Sequence, residues 1–218
     1  MELFNTQVAV ENLGPLLAGL LITIELTFVV IVLSLVFALL VALGGMSRWL
    51  LLRWLIKAYI ELMRGTPLLL QLIYIYYVLP EIGIRLDAFT AGVIGLTLNY
   101  SAYISEVYRG GILAVPKGQH DAAAALGMTR ALAMRRIVLP QAIRMTLPPL
   151  ASNFVQLIKF SSLGAVISVS EITRRGMELS ASTFRPLEIF TFIAVVYFVI
   201  CWPLAMGIRL WERRLQAR

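Results

Sequence analysis

The sequence has few charged residues: Asp, Glu, Lys and Arg make up 14% of its 218 residues, whereas 60% are hydrophobic. A soluble domain averages about 25% charged residues, so this chain has too little polar surface to cover a water-soluble globule. The same composition excludes disordered chains, collagen-like repeats, disulfide scaffolds and coiled coils. It therefore predicts an all-α integral membrane protein.

Cysteine and histidine are also scarce, since Cys201 and His120 are the one cysteine and the one histidine of the chain. Neither an internal disulfide nor a metal cluster can be built from one residue of each type. We therefore expect no metal, no cofactor and no catalytic residues in this chain, which disfavours an intramembrane enzyme. No GxxxxGK string followed by Ser or Thr is present, so the chain is not expected to bind ATP in a P-loop.

Five apolar runs are candidates for membrane crossing, which takes about 20 residues of helix. They predict five transmembrane helices in a single domain of residues 1–218, at about 18–45, 67–82, 88–108, 143–169 and 189–208. Because five is an odd number, the two termini are expected on opposite sides of the membrane.

The net charge of +7 is interpreted through this topology. With the N-terminus outside, fourteen of the nineteen Lys and Arg residues lie inside and four outside, while Lys159 lies in the fourth span. Cytoplasmic segments carry an excess of Lys and Arg, so we expect the N-terminus outside and the C-terminus inside a bacterial cytoplasmic membrane. No nucleic-acid partner is expected.

An amphipathic segment precedes the second span. Arg53, Lys57, Glu61 and Arg64 share one face of a helix at this spacing, with Leu and Ile on the other. The segment is either a helix in the cytoplasmic interface or the solvated start of the span. The string Arg-Gly-Thr-Pro at 64–67 is expected to interrupt it, because a proline disfavours helical backbone at the preceding residue.

The cytoplasmic loop 109–140 is expected to contain two short helices. Four alanines at 122–125 favour helix, and Gly127 suits a left-handed helix end. Thr129 can cap a second helix, expected to end before Pro140. Two short helices between spans predict a docking platform for a cytoplasmic partner.

The same loop carries a family resemblance. Asp121-Ala122-Ala123, Gly127 and the string IVLP at 137–140 have the spacing of the EAA loop of ABC importer permeases, with Asp in place of the usual Glu. Further strings resemble the polar amino acid branch of that family: ELMRGTPL at 61–68, AYISE at 102–106, RGGI at 109–112, LPQAIR at 139–144 and LPPL at 147–150.

The resemblance implies the transmembrane-domain fold of a type I importer and the permease subunit of an ATP-driven amino acid importer. Its expected partners are a second permease subunit of the same or a homologous chain, cytoplasmic ATPase subunits that hold ATP and Mg²⁺, and an external solute-binding protein. The residues implied in ATPase coupling are Asp121, Ala122, Ala123, Gly127 and Arg130. The alternative function is a gradient-driven secondary carrier or channel. The external segment 170–187, with mixed charge, suits either a binding-protein contact or a solvated loop.

Polar side chains inside spans are costly and usually face a partner or a water-filled cavity. The candidate substrate path comprises Asn99, Tyr103, Glu106, Asn153, Gln156, Lys159, Ser161 and Ser162. The alternative is that these residues make interhelical hydrogen bonds, that Glu106 pairs with Arg109, and that Lys159 pairs with a partner subunit. Phe160 stands where relatives often carry Asp or Asn, which leaves the preferred substrate charge open.

Overall fold

The computed structural model describes residues 11–216, with side chains up to Arg213, and every regular element among them is helical. The expected domain 1–218 extends beyond the described residues, and Arg218 of the charge count lies outside them. The helices are α1 Leu13–Gly45, α2 Leu50–Gly65, α3 Leu68–Ile73, α4 Ala88–Leu113, α5 Lys117–Ala125, α6 Arg130–Ala133, α7 Leu139–Phe160, α8 Ile172–Thr183 and α9 Pro186–Gln216. Helix α3 continues as a π-helical turn at Tyr74–Val78 and a 3₁₀ turn at Leu79–Ile82. Helix α6 continues as a π-helical turn at Met134–Val138, and α7 continues as 3₁₀ helix at Ser161–Ile167.

Three helical stretches among the described residues are long and apolar enough to cross a membrane: Leu13–Gly45, Arg130–Ile167 and Pro186–Arg213. A fourth is possible if α2 and the helix Leu68–Ile82 form one bent span. Helix α4 has 26 residues but does not meet the same hydropathy test. The fold is thus helical and membrane-embedded, while the number of five spans stays a prediction.

Helix α1 carries apolar residues on all of its sides, and Glu25 is its one charged residue. Its buried stripe runs from Leu16 to Val41 at steps of three and four residues, and its other face exposes large residues such as Leu21 and Phe28. A helix with apolar residues on all sides suits a bilayer better than water.

Helix α4 lies at the centre and packs against α1, α2, α3 and α7. Asp87 caps its N-terminus through a 3.0 Å hydrogen bond from the Thr90 amide, and hydrogen bonds from Thr90 lower the pKa of Asp87. Its buried Leu96, Tyr100 and Ile104 join the largest apolar core. Because neighbouring helices cover α4, its polar residues can lie inside the bundle instead of facing lipid.

The expected break after Arg64 is confirmed. Helix α2 ends at Gly65, and the axis turns by 105° before the helix Leu68–Ile82. Thr66 is extended, with φ −116° and ψ 147°, as expected for a residue before proline. Its hydroxyl donates to the Leu62 carbonyl at 2.7 Å, which satisfies an acceptor at the end of α2.

The expected end of the second short helix before Pro140 is wrong. The Thr129 hydroxyl accepts from the Leu132 amide at 3.3 Å and begins α6 as predicted. The chain then stays helical from Arg130 to Ile167. Pro140 falls within the first turn of α7, directly after a wide turn, where its missing N–H costs little.

Candidate functional site

A cleft of about 490 Å³ lies where the break after α2 faces α4 and α7. We call it the central cleft. Its wall is formed by Arg64, Gly65, Thr66, Pro67 and Leu68 from the break, Asn99, Tyr100 and Tyr103 from α4, and Asn153, Gln156 and Phe160 from α7. Three elements that are distant in sequence therefore share one cavity.

Two amides hold the break in place. The Gln71 amide donates to the Met63 carbonyl at 3.0 Å, to the Thr66 carbonyl at 3.2 Å and to the Thr66 hydroxyl at 2.7 Å. The Asn99 amide donates to the same Met63 carbonyl at 2.9 Å and to Oε1 of Gln71 at 3.0 Å. These bonds satisfy backbone groups that the bend removes from helical pairing. Asn99 thus positions the cleft wall as well as lining it.

Arg64 is the one charged side chain in the cleft wall. Its guanidinium lies 5.3 Å from the ring centre of Tyr103, and its Nη1 lies 3.9 Å from Oε2 of Glu106. Glu106 is held mainly by Arg109, through hydrogen bonds of 2.9 Å and 2.6 Å. The alternative reading of Glu106 as a partner of Arg109 matches this geometry. Arg64 keeps donors for a further anionic group.

Three aromatic rings also line the cleft. The rings of Tyr100 and Phe160 meet edge to face at 6.5 Å, and Tyr100 lies 6.4 Å from Tyr103. The Tyr100 hydroxyl is buried and has no hydrogen-bond partner among the described residues. The described lining of the central cleft therefore combines one cation with these rings and three side-chain amides, and it includes no carboxylate.

The structure brings four of the eight predicted path residues into the central cleft: Asn99, Tyr103, Asn153 and Gln156. The Asn153 amide donates to the Pro149 carbonyl of its own helix at 2.8 Å. Gln156 is exposed and makes no hydrogen bond within the described part of the chain. Of the three side-chain amides in the cleft wall, that of Gln156 alone has no hydrogen-bond partner among the described residues.

The other four predicted path residues lie outside the cleft. Glu106 borders a neighbouring groove, and Lys159 is exposed beside the cleft residues without lining it. Ser161 is fully buried, and its hydroxyl donates to the Ile158 carbonyl at 2.8 Å. The Ser162 hydroxyl donates to the Lys159 carbonyl at 2.7 Å. Both serines satisfy the end of α7.

Sequence reasoning missed Arg64, Thr66 and Tyr100 as cleft residues. The string Arg-Gly-Thr-Pro was available as a signal, because a helix break inside an apolar region lines a cavity more often than it faces lipid. Tyr100 carried no such signal, since an aromatic residue within an apolar run is usually core.

The predicted coupling loop contains a compact unit, formed by α5 Lys117–Ala125, the turn 126–129 and α6 Arg130–Ala133, which we call the coupling unit. Helix α5 ends in a left-handed Gly127, whose φ is +70°. The Met128 amide donates to the Ala123 carbonyl and the Gly127 amide to the Ala124 carbonyl, both at 3.0 Å. This pair of bonds is a Schellman motif, which fixes the direction of the chain after the helix.

The coupling unit exposes a defined surface. Ala123 is buried, whereas Asp121, Ala122, Gly127 and Arg130 are exposed. Leu126, a large apolar side chain at the tip, is 79% exposed and is not covered by the described residues. Gln141 of α7 donates to Oε1 of Gln119 in α5 at 3.4 Å, and Val115 packs with Val138 and Ala142. The unit is therefore attached to the base of α7.

Comparison with known proteins shows a match over residues 34–217 to the family described as binding-protein-dependent transport system inner membrane component. The chain belongs to this family. As a permease of this family it is a translocation component without an ATPase site, and it belongs to a binding-protein-dependent system.

Relatives of the permease cover most of its length. It is 40% identical over 207 residues to the L-cystine transport system permease protein TcyB of Bacillus subtilis (strain 168). This match covers 94% of this chain and 88% of the relative. It is 42% identical over 160 residues to the glutamine transport system permease protein GlnP of Escherichia coli (strain K12), which covers 72% and 73%.

A crystal structure of an amino acid ABC transporter with histidines superposes on the permease with a TM-score of 0.93. The two chains are 39% identical, and the match covers 96% of this chain and 98% of the other. The inward-facing MetNI methionine ABC transporter gives a TM-score of 0.76 at 18% identity, with 95% and 97% covered, and supports the fold alone. The expected importer fold, in an inner-membrane multi-pass protein, is confirmed.

Proposed function

We propose that this permease imports an amino acid across the bacterial cytoplasmic membrane, driven by a separate ATPase subunit that docks on the coupling unit. Three curated relatives that are at least 34% identical over 72% or more of this chain are named as cystine, glutamine and arginine permeases. The observation that carries the coupling mechanism is the exposed, capped helix α5 attached to α7.

The coupling contact is assigned to Asp121, Ala122, Ala123, Gly127 and Arg130. The exposed Leu126 supplies an apolar contact at the tip. The buried Ala123 packs α5 against the rest of the permease. Because the helix stays continuous from Arg130 to Ile167, a displacement of the coupling unit moves α7 and its cleft residues together. ATP and Mg²⁺ bind to the ATPase subunit.

The substrate path is assigned to the central cleft. Arg64 offers a cation to the substrate carboxylate, and the Gln156 amide is free to bind a polar group. The wider predicted path also includes Glu106, Lys159, Ser161 and Ser162, which here support the wall or face a second permease subunit. That subunit closes the cleft, and an external binding protein delivers the amino acid.

The orientation places the N-terminus outside and the coupling unit inside, following the excess of Lys and Arg. In this orientation the ends of α1 and α4 nearest Gly45 and Leu113 lie at the cytoplasmic face. The outer face then carries Asp87 and the helix α8.

Uptake of labelled L-cystine, L-glutamine and L-arginine by cells lacking this chain tests the proposal. The cells are complemented with wild type, Gly127→Val or Gly127→Asn. Valine is strained at a left-handed φ, by about 1–2 kcal/mol, whereas asparagine tolerates it. We expect Gly127→Val to lower uptake of the transported amino acid at least tenfold and to reduce ATPase co-purification, while Gly127→Asn retains both.

Two results would overturn the proposal. Normal uptake with Gly127→Val at equal expression would show that the helix end does not couple. Uptake that persists without the ATPase subunit and collapses on loss of the proton or sodium gradient would establish the secondary carrier.

A further inference from the structure

A second cavity lies along α2. This groove, of about 360 Å³, is lined by the end of α1 at Gly45, by one face of α2 from Leu50 to Arg64, and by Glu106 and Arg109 of α4. We call it the basic groove. It does not include the coupling unit, and it shares only Arg64 with the central cleft.

The basic groove has an excess of positive charge. Four cations line it, Arg53, Lys57, Arg64 and Arg109, against the two carboxylates Glu61 and Glu106. Glu106 is already shared by Arg109 and Arg64. Arg53 and Lys57, one turn apart on α2, make no ion pair and no side-chain hydrogen bond within the described residues. Two adjacent cations are therefore left for a ligand.

The surroundings of these cations are apolar. None of the residues of α2 is buried, and Leu50, Leu51 and Trp54 are 70%, 71% and 67% exposed. Exposed tryptophans are typical of the boundary between headgroups and acyl chains. A ligand that satisfies both the cations and the apolar surface must itself be amphipathic.

We propose that the basic groove binds an anionic phospholipid of the cytoplasmic leaflet. Its phosphate accepts hydrogen bonds from Arg53 and Lys57, and its acyl chains run along Leu50 and Trp54. Basic pockets between membrane helices on the cytoplasmic side suit anionic headgroups for this reason. The proposal rests on the proposed orientation, in which the end of α1 at Gly45 faces the cytoplasm.

The position of the groove gives this lipid a route to the substrate path. Helix α2 lines the basic groove along its length, and Arg64 near its end lines both cavities. A lipid that holds α2 in place therefore stabilises the break that shapes the central cleft. We expect transport to be faster in bilayers that contain anionic lipid.

Native mass spectrometry of the complete transporter, permease with ATPase, tests the proposal. The detergent-solubilised complex is titrated with phosphatidylglycerol or with phosphatidylcholine, without amino acid. We expect wild type to retain phosphatidylglycerol in preference. The double variant Arg53→Gln with Lys57→Gln should weaken that binding by about tenfold or more, since each basic residue contributes several-fold.

A matched control removes two other cations. Arg209 and Arg213 of α9 are exposed, lack ion pairs within the described part of the chain and lie near apolar residues, but they do not line the basic groove. Arg209→Gln with Arg213→Gln should leave the preference for phosphatidylglycerol unchanged. The exchange Arg53→Lys with Lys57→Arg, which keeps the charge, should also retain it.

Several outcomes would overturn the proposal. Equal binding of the two lipids, or equal losses in the groove and control variants, would show no specific site. Full competition by millimolar inorganic phosphate would assign the cations to a free anion. Loss of the second permease subunit from the groove variant would identify the groove as a subunit interface. The lipid measurement contains no amino acid. It can therefore confirm or overturn the lipid site even if the proposed amino acid import proves wrong.

Discussion

The two asparagines of the central cleft make different contacts. The Asn99 amide donates to Met63 and Gln71, and both bonds cross between helices. The Asn153 amide donates within its own helix to Pro149. A hydrogen bond contributes about 0.5–1.5 kcal/mol net, and an unsatisfied buried partner costs more. Asn99 thus has a structural role in addition to its place in the cleft, whereas Asn153 has side-chain capacity left for a ligand.

Phe160 is the residue of the cleft for which we expect the clearest effect on selectivity. The described lining of the cleft holds one cation and no carboxylate, so under the proposed substrate path we expect an uncharged substrate side chain to bind better than a cationic one. Phe160→Asp adds a carboxylate near Tyr100. Because a hydrogen bond to a charged group is worth about 1.5–3 kcal/mol, we expect binding of L-arginine relative to L-glutamine to rise about tenfold or more.

The measurement is direct binding of both amino acids to the permease–ATPase complex without the external binding protein, so that its specificity does not enter. Phe160→Leu is the control, because it removes the ring without adding charge and should leave the ratio nearly unchanged. An unaltered ratio in Phe160→Asp would place the substrate side chain elsewhere.

At the scale of elements, the crossing of α4 and α7 depends on one glycine. A Cβ on Gly111 would meet the Cγ2 of Thr146 and come within 3.1 Å of the Ala142 carbonyl oxygen. The adjacent Gly110 is exposed and has nothing within 4 Å of such a Cβ. The two glycines of the string Arg-Gly-Gly-Ile therefore serve different purposes.

Gly111→Ala and Gly110→Ala form a matched pair, because both add one methyl group to neighbouring positions of the same helix. We expect Gly111→Ala to destabilise the permease by about 1–3 kcal/mol through overpacking. Gly110→Ala should be neutral or stabilising by up to about 1 kcal/mol from helix propensity. Thermal unfolding of the purified transporter compares the two variants. Equal melting temperatures would show that the contact between α4 and α7 accommodates a methyl group at position 111 without loss of stability.

The coupling segment shows what local sequence can predict about elements. The left-handed Gly127 and the Thr129 cap were predicted correctly, because each depends on the residue's own backbone and its nearest amides. The end before Pro140 was predicted wrongly. A proline in the first turn of a helix loses no hydrogen bond, and the wide turn at Met134–Val138 lets the helix continue.

For the molecule as a whole, a buried carboxylate joins three helices at the end of the bundle where α8 lies. Glu171 is fully buried, caps α8 through the amides of Thr173 and Arg174 at 2.9 Å and 2.8 Å, and accepts from the Tyr197 hydroxyl of α9 at 3.2 Å. The amide of Ile172, the residue directly after Glu171, donates to the hydroxyl of Thr23 in α1 at 3.2 Å. Three helices meet at this point, in a segment that the sequence analysis interpreted as an external loop suited to a binding-protein contact or to solvent.

Burial raises the pKa of Glu171 above its ordinary value of 4.5, because the charged form loses its hydration. The folded state then binds this proton more tightly than the unfolded state. The resulting stability is present below about pH 4.5 and is lost as the pH rises through the folded pKa. We expect the melting temperature to fall over this window, and Glu171→Gln to flatten that part of the profile.

Melting temperatures of wild type and Glu171→Gln at several pH values check this. The difference between the two profiles isolates Glu171 from the other titrating groups. Parallel profiles would mean that Glu171 titrates alike in both states.

The sequence by itself determined the membrane class, the family resemblance, the helix break at Gly65–Pro67 and the shape of the coupling helix end. These depend on composition and on interactions within a few residues. Only the tertiary structure decided which polar residues meet. Asn153 and Gln156 reach the central cleft while Lys159 does not, and Arg64 joins them because the axis turns by 105° after α2. The reason is physical: residues on one helix share a face by periodicity, but a cavity wall depends on how separate helices cross, which long-range packing sets.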